Sequence, residues 1–270
     1  MKKFNEIPVV IFALDERTES LCRLSFKKLG FKNIITMDEK IGFSEKLKKF
    51  FSLVNDENFK HHSLFLRTDA DRIALPGVIE LCKQSILSLS KREDGYLITE
   101  GLGYEYFMQR FRGATPHVFS RACMNYCLKN EEKLIKDILK PESHIGKYFK
   151  EKYNAFESFK SLTNFHEFEQ FPSKMYHAFL TRIRRGHLGY YDVAAIIKNP
   201  FYGPALKKAI EKSKISTLDN QTMNYHLLDC DSNLKMLDIK LGEIPKEKEV
   251  QLFEKYLRLY EQLIQNHLGL

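Results

Sequence analysis

No stretch of the 270 residues approaches the roughly 18 consecutive apolar residues that a membrane-spanning helix requires. Any membrane contact is therefore expected to be peripheral. The basic start Met1-Lys2-Lys3 and the apolar run Ile7 to Leu14 fall short of a secretory leader. The run is brief, and Asp15-Glu16-Arg17 follows it without a small-residue cleavage site. Cysteine is scarce and odd in number: Cys22, Cys82, Cys123, Cys127 and Cys230, none of them in a C-x-x-C pair. That count argues against a closed disulfide framework and for a reduced, cytoplasmic protein. Cys123 and Cys127 are spaced for one helix face and read as small core residues. Pro-, Ser- and Gln-rich tracts are missing, which argues against disorder. No internal repeat is visible.

What is present is an ordinary globular composition, 43% hydrophobic and 29% charged, in a chain long enough to bury a full core unaided. The formal net charge of +8 favours anionic partners: nucleic acid, phospholipid headgroups, or phosphorylated and sugar-diphosphate substrates. Charge alone does not choose among them.

The first half alternates strand and helix signals. Pro8 to Leu14 is a continuous apolar run, as in a strand covered on both faces. A helix is expected over Arg17 to Leu29 with Gly30 as its stop, then a strand over Asn33 to Met37 ending on Asp38. Ser44 reads as the cap of a helix to about Val54. The strand Ser63 to Thr68 runs into Asp69-Ala70-Asp71, Pro76 opens a further helix, and Gly95 to Thr99 is a fourth strand. This order predicts an α/β fold with a single, mostly parallel central sheet flanked by helices. Ligands bind such sheets beyond the carboxyl ends of the strands, where Asp15, Asp38, Asp69 and Asp71 all fall.

Gly113 to Pro116 and Lys140 to Ser143 read as turn-like breaks, and helical patterns dominate from about Ser173. The expected division is an α/β domain over 1–172 and a mainly helical extension over 173–270. Lys246 to Leu268 forms one amphipathic stripe, suited to packing on the domain, with a dimer seam or membrane-surface helix as alternatives.

Two aspartates at a strand end can share a divalent cation; Mg²⁺ and Mn²⁺ favour hard oxygen ligands and complete their shells with substrate phosphates. A D-x-D arises by chance about once in a few hundred residues, and Asp229-Cys230-Asp231 is a second copy. Only the first ends a buried strand in a βα series. Its setting, Leu66-Arg67-Thr68-Asp69-Ala70-Asp71, resembles the D-x-D motif of type A fold glycosyltransferases of the bacterial family 2-like kind, over about the first 120 residues. The resemblance implies nucleoside contacts for Leu14, Asp15, Arg17 and Asp38. It implies metal and ribose or diphosphate binding for Asp69 and Asp71, with Arg72 either near the diphosphate or in a surface salt bridge.

Lys140-Pro141-Glu142-Ser143-His144 and Phe165-His166-Glu167-Phe168-Glu169-Gln170-Phe171 resemble the later part of the same transferases. That implies Glu142 as general base, with Glu167 and Glu169 as alternatives, and His166 as a third metal ligand. The typical paired acidic motif is absent. Arg182, Arg184 and Arg185 form the densest arginine cluster, open to a diphosphate, an anionic acceptor or a solvated face. Glu100-Gly101-Leu102-Gly103 lets backbone approach a ligand closely.

The function implied is a metal-dependent transferase moving a sugar from a nucleotide-sugar donor to a glycan or lipid-linked acceptor in surface polysaccharide or lipopolysaccharide synthesis. Mn²⁺ or Mg²⁺ is the expected cofactor, and peripheral contact with an anionic membrane is expected. The alternatives are a Mg²⁺-dependent nucleotidyltransferase, which lacks its phosphate loop here, and a basic nucleic-acid-binding protein, which lacks any recognised motif.

Overall fold

The computed structural model describes residues 3–135, 141–167, 169–184, 186–215 and 232–268. Two compact units arise, one from Met1–Tyr104, Phe111–His166 and Ile244–Leu270, the other from Glu105–Arg110 and Glu167–Glu243.

In the first unit the run after Pro8 becomes β1 (Val9–Phe12), all of it buried. Helix α1 (Glu19–Lys28) ends before Gly30, whose φ of 91° suits a residue without Cβ. Strand β2 (Ile34–Met37) and helix α2 (Phe43–Ser52) come next, with Gly42 rather than Ser44 at the cap of α2. Strands β3 (Leu64–Asp69) and β4 (Arg72–Ala74) precede helix α3 (Gly77–Ser90). Then follow β5 (Ile98–Glu105), β6 (Arg110–Ser120), α4 (Arg121–Lys129), α5 (Glu131–Leu134), α6 (Pro141–Tyr153) and β7 (Phe156–His166).

The seven strands form one sheet in the order β2-β1-β3-β6-β5-β7-β4. β1 runs parallel to β2 and β3, whereas β6 is antiparallel to β3, and β4 to β7. The sheet is thus mixed, not mostly parallel as expected. The connections supply the reason. Helices α1 and α2 give β1, β2 and β3 the dozen or more residues that a parallel crossover needs. β5 reaches β6 through Tyr106–Met108 and Gln109 alone, too short for a crossover. The expected break at Gly113 to Pro116 lies inside β6, where the Thr115–Pro116 bond is cis. The ladder to β3 ends at Arg67↔His117, so Pro116 is not asked to donate to it.

Chain connectivity also dictates curvature. β3 and β4 are joined by Ala70 and Asp71 alone, yet β6, β5 and β7 lie between them in the sheet. Laid flat, strands spaced about 4.8 Å apart would put β3 and β4 roughly 19 Å from each other. Three Cα steps reach about 11 Å at most. The sheet therefore curls until its far edge meets its middle, at the D-x-D turn.

Alternation along the strands feeds two cores. Val10, Phe12, Phe65, Ile98 and Phe119 face α2, α4 and α6, meeting Phe50, Phe51, Cys123, Cys127 and Phe149. Val9, Ile11, Leu64, Leu66 and Val118 face the other way, toward Cys22 and Phe26 of α1 and Val78 and Leu81 of α3. Each such fully buried side chain contributes about 1.5–3 kcal/mol.

The second unit packs α7 (Pro172–Arg184), α8 (Val193–Lys198), α9 (Tyr202–Ile215) and α10 (Ser232–Leu241) around Met175, Phe179, Leu206 and Leu234. Helix α11 (Lys246–Leu263) returns to the first unit, where Tyr256 stacks at 5.7 Å on Phe165. Among the described residues, no helix is long and apolar enough to cross a membrane.

Candidate active site

The turn after β3 is fixed by its middle residue. Ala70 is fully buried; its N–H donates to the Phe12 carbonyl at 2.9 Å, and its carbonyl accepts from Thr18 Oγ1 at 2.9 Å. The two flanking aspartates have different neighbours. Asp69 Oδ1 accepts from Arg67 Nη2, and Oδ2 accepts from Thr115 Oγ1 at 3.1 Å and Arg72 Nε at 3.4 Å. Asp71 Oδ2 lies 3.1 Å from His166 Nε2. The register Arg72↔His166 between β4 and β7 brings that pair together.

Behind Asp69 a second layer forms. Arg67, only 1% exposed, donates through Nη1 to Glu142 Oε1 at 2.7 Å and lies over the rings of Phe12 and Phe43 at 4.5 and 5.1 Å. Two carboxylates and two aromatic faces thus compensate a buried guanidinium. His117, opposite Arg67 in the sheet, has Nδ1 2.5 Å from Glu142 Oε1 and Nε2 3.4 Å from Glu100 Oε2. Burial works against a charged His117, but the Glu142 charge and the bonds to Glu100 and Glu142 outweigh it and carry its pKa to about 9. Burial likewise works against an ionised Glu142, and Arg67 first, then His117, reverse it and hold its pKa near 2. Near neutral pH the two stand as an ion pair.

These groups border a cavity of about 390 Å³. Asp69, Arg72, Thr115, His117 and Glu142 line it, together with Ser143, Lys147 and Lys150 of α6 and with Arg112 and Phe156.

Of the remaining expected residues, Asp15 is exposed just beyond β1, at a φ of 59°, and pairs with Lys40 at 2.6 Å. Asp38 is exposed beyond β2. Both charges reach Glu19, whose pKa is raised by burial first, then by Asp38 and Asp15. Arg17 is buried. Lys46 of α2, which composition gave no reason to single out, is buried and donates from Nζ to the carbonyls of Ala13 and Met37, closing the ends of β1 and β2.

Gly101 and Gly103 make room for protein rather than ligand: a Cβ at Gly101 would stand 2.2 Å from Thr163 Cγ2, and one at Gly103 3.0 Å from Asn164 Oδ1. In the second unit, Glu167 and Arg182 pair with each other, and Arg182 also reaches Glu105 at 3.1 Å and the Tyr191 hydroxyl at 3.1 Å. Arg182 is therefore a buried structural cation. Lys140, Phe168, Arg185 and the second D-x-D, Asp229 to Asp231, lie outside the described residues.

Arg67, Thr115, His117, Asn164 and the α6 lysines were not singled out by motif. Arg67 alone carried a signal, as a charge inside an apolar run. Asn164 accepts from Arg72 Nη1 at 3.0 Å and donates to the Thr115 carbonyl at 2.7 Å, which holds Arg72 beside Asp69.

No protein-family model and no curated protein matches the sequence. Among solved structures, a glycosyltransferase involved in the glycosylation of the major capsid of PBCV-1 superposes with a TM-score of 0.35 at 11% identity, over 60% of this chain and 93% of that one. A superposition that loose assigns no chemistry.

Proposed function

We propose that this chain is a divalent-metal-dependent glycosyltransferase taking a nucleotide sugar as donor. The observation that carries the reading is the Asp71–His166 pair at the D-x-D turn, 3.1 Å apart. Two adjacent ligands on an octahedral cation at about 2.1 Å lie about 3 Å from each other, so the spacing fits. A carboxylate with an imidazole suits Mn²⁺ better than Mg²⁺, which favours oxygen alone. Bound there, the cation would supply positive charge to a diphosphate leaving group.

The rest falls to the chain's own residues. Asp69, with its oxygens held by Arg67, Arg72 and Thr115, is the motif's second carboxylate, oriented toward ribose or diphosphate. Asp15, Arg17 and Asp38, at the ends of parallel β1 and β2, are the nucleoside side of the same reading. Glu142 is ionised and borders the cavity, so we assign it contact with the acceptor hydroxyl. Its low pKa makes it a hydrogen-bond anchor first and a weak proton acceptor. A glycan or lipid-linked acceptor at an anionic membrane surface accords with the net charge of +8.

A thermal-shift measurement with Mn²⁺ and a panel of nucleoside diphosphates tests the reading. Saturation at about 100 times Kd should stabilise the protein by about 2.7 kcal/mol, and Asp71→Ala and His166→Ala should each abolish the effect. Stabilisation that is absent, or unchanged in Asp71→Ala, sinks the proposal.

A further inference from the structure

The cavity beside Asp69 contains more cations than its own carboxylates use. Each acidic group in its lining is already engaged: Asp69 by Arg67 and Arg72, Glu142 by Arg67 and His117, Glu100 by His117 and by the Ser158 hydroxyl at 2.8 Å. Lys147 and Lys150 add two charges with little to balance them. Among the described residues Lys147 meets only Glu151, at 3.8 Å, with both side chains about two-thirds exposed or more, a pairing of little strength in water. Ser143, Lys147 and Lys150 recur at the i, i+4, i+7 spacing that puts them on one stripe of α6, and all three line the cavity.

The opposite requirement, an apolar surface, is met at Phe156. Its ring is a cavity wall and is seated against Gly146, where a Cβ would stand 2.9 Å from Cε2. An aromatic face of this kind accepts the C–H face of a sugar ring. The volume of about 390 Å³ falls within the usual range for small-ligand sites.

We propose that this cavity binds an anionic sugar, its ring against Phe156 and its phosphate or carboxylate at Lys147 and Lys150. Anion binding follows from the charges and stands alone; naming the ligand the acceptor rests on the transferase reading above. The shared chemistry is an oxyanion on a pyranose ring, and the probes separate its two sources.

Isothermal titration with glucose 6-phosphate, galacturonate, inorganic phosphate and uncharged glucose tests the site on the wild-type chain and on the Lys147→Ala/Lys150→Ala double variant. The wild type should bind glucose 6-phosphate or galacturonate more tightly than inorganic phosphate or glucose, the better of the two identifying the anion. The double variant should bind it about tenfold more weakly, and Phe156→Leu should weaken the sugar ligand while leaving inorganic phosphate unchanged. Equal affinity in wild type and double variant, or no binding by the wild type, overturns the proposal. Competition between the anionic sugar and a Mn²⁺–nucleoside diphosphate overturns the acceptor assignment. Loss of the Mn²⁺ effect with sugar binding intact would instead count against the transferase reading alone.

Discussion

In the second unit, Arg182 is enclosed by Glu105, Glu167 and the Tyr191 hydroxyl, every one of them buried. In the first, Arg67 is bonded just as closely to Asp69 and Glu142, and Glu142 to His117, but Asp69, His117 and Glu142 border a cavity. The difference lies in what each network leaves over. Around Arg182 the cation is spent on buried oxygens, and burial pushes the Tyr191 phenol up, with the Glu167 charge adding to it. Around Arg67 the interior charges are matched too, but the cavity lining also includes lysines that, among the described residues, have no strong partner. A closed network holds helices together; an open one of the same chemistry can hold a ligand as well.

Three perturbations test that contrast. The largest effect is expected from Arg182→Ala, which strands two buried carboxylates and should cost about 3–5 kcal/mol. Hydrogen exchange should localise the loss to α7 and α9; a variant as protected as the wild type would show the network to be no scaffold. Next in size is the pH response of His117. Its pKa is raised from 6.5 to about 9, so its contribution is fully present below about pH 6.5 and fades as pH rises through 9. The linked stability is on the order of 3 kcal/mol. Melting temperatures across that range should fall in the wild type and stay flatter in His117→Gln; parallel curves would argue against the ion pair. Smallest is the Lys147→Ala/Lys150→Ala variant, whose unfolding free energy should stay within about 0.5 kcal/mol of the wild type. A marked loss would mean that these lysines hold the fold and are not spare charge.

Legibility in the sequence followed the same divide between continuous and interrupted patterns. β1 and β3 announce themselves as apolar runs because both faces are covered. β7 does not: its first half alternates exposed and half-buried residues, and only Leu162 onward is continuously buried. β6 is hidden by Gly113 and Pro116, which ordinarily mark turns. Without those strands the antiparallel half of the sheet has no signature. For the site, a strand end followed by Asp69-Ala70-Asp71 is visible to inspection. The partner of Asp71, His166, is named only by the family resemblance: no local pattern joins the two, because they lie 95 positions apart and meet only through the β4–β7 register. The cavity lysines look like any solvated helix face until Phe156 and Glu142 are seen beside them.

The two-residue link between β3 and β4 has an evolutionary consequence. Most surface loops drift in length as lineages diverge, but this one closes a curled sheet with almost no slack. An insertion would release β4, or slip it by one residue and turn Arg72 away from Asp69. Ala70, buried and bonded through both its N–H and its carbonyl, leaves space for little beyond alanine, glycine or serine. Distant relatives of this chain should therefore be sought with a rigid acidic–small–acidic spacing and a hydroxyl residue matching Thr18, with freedom of length everywhere else.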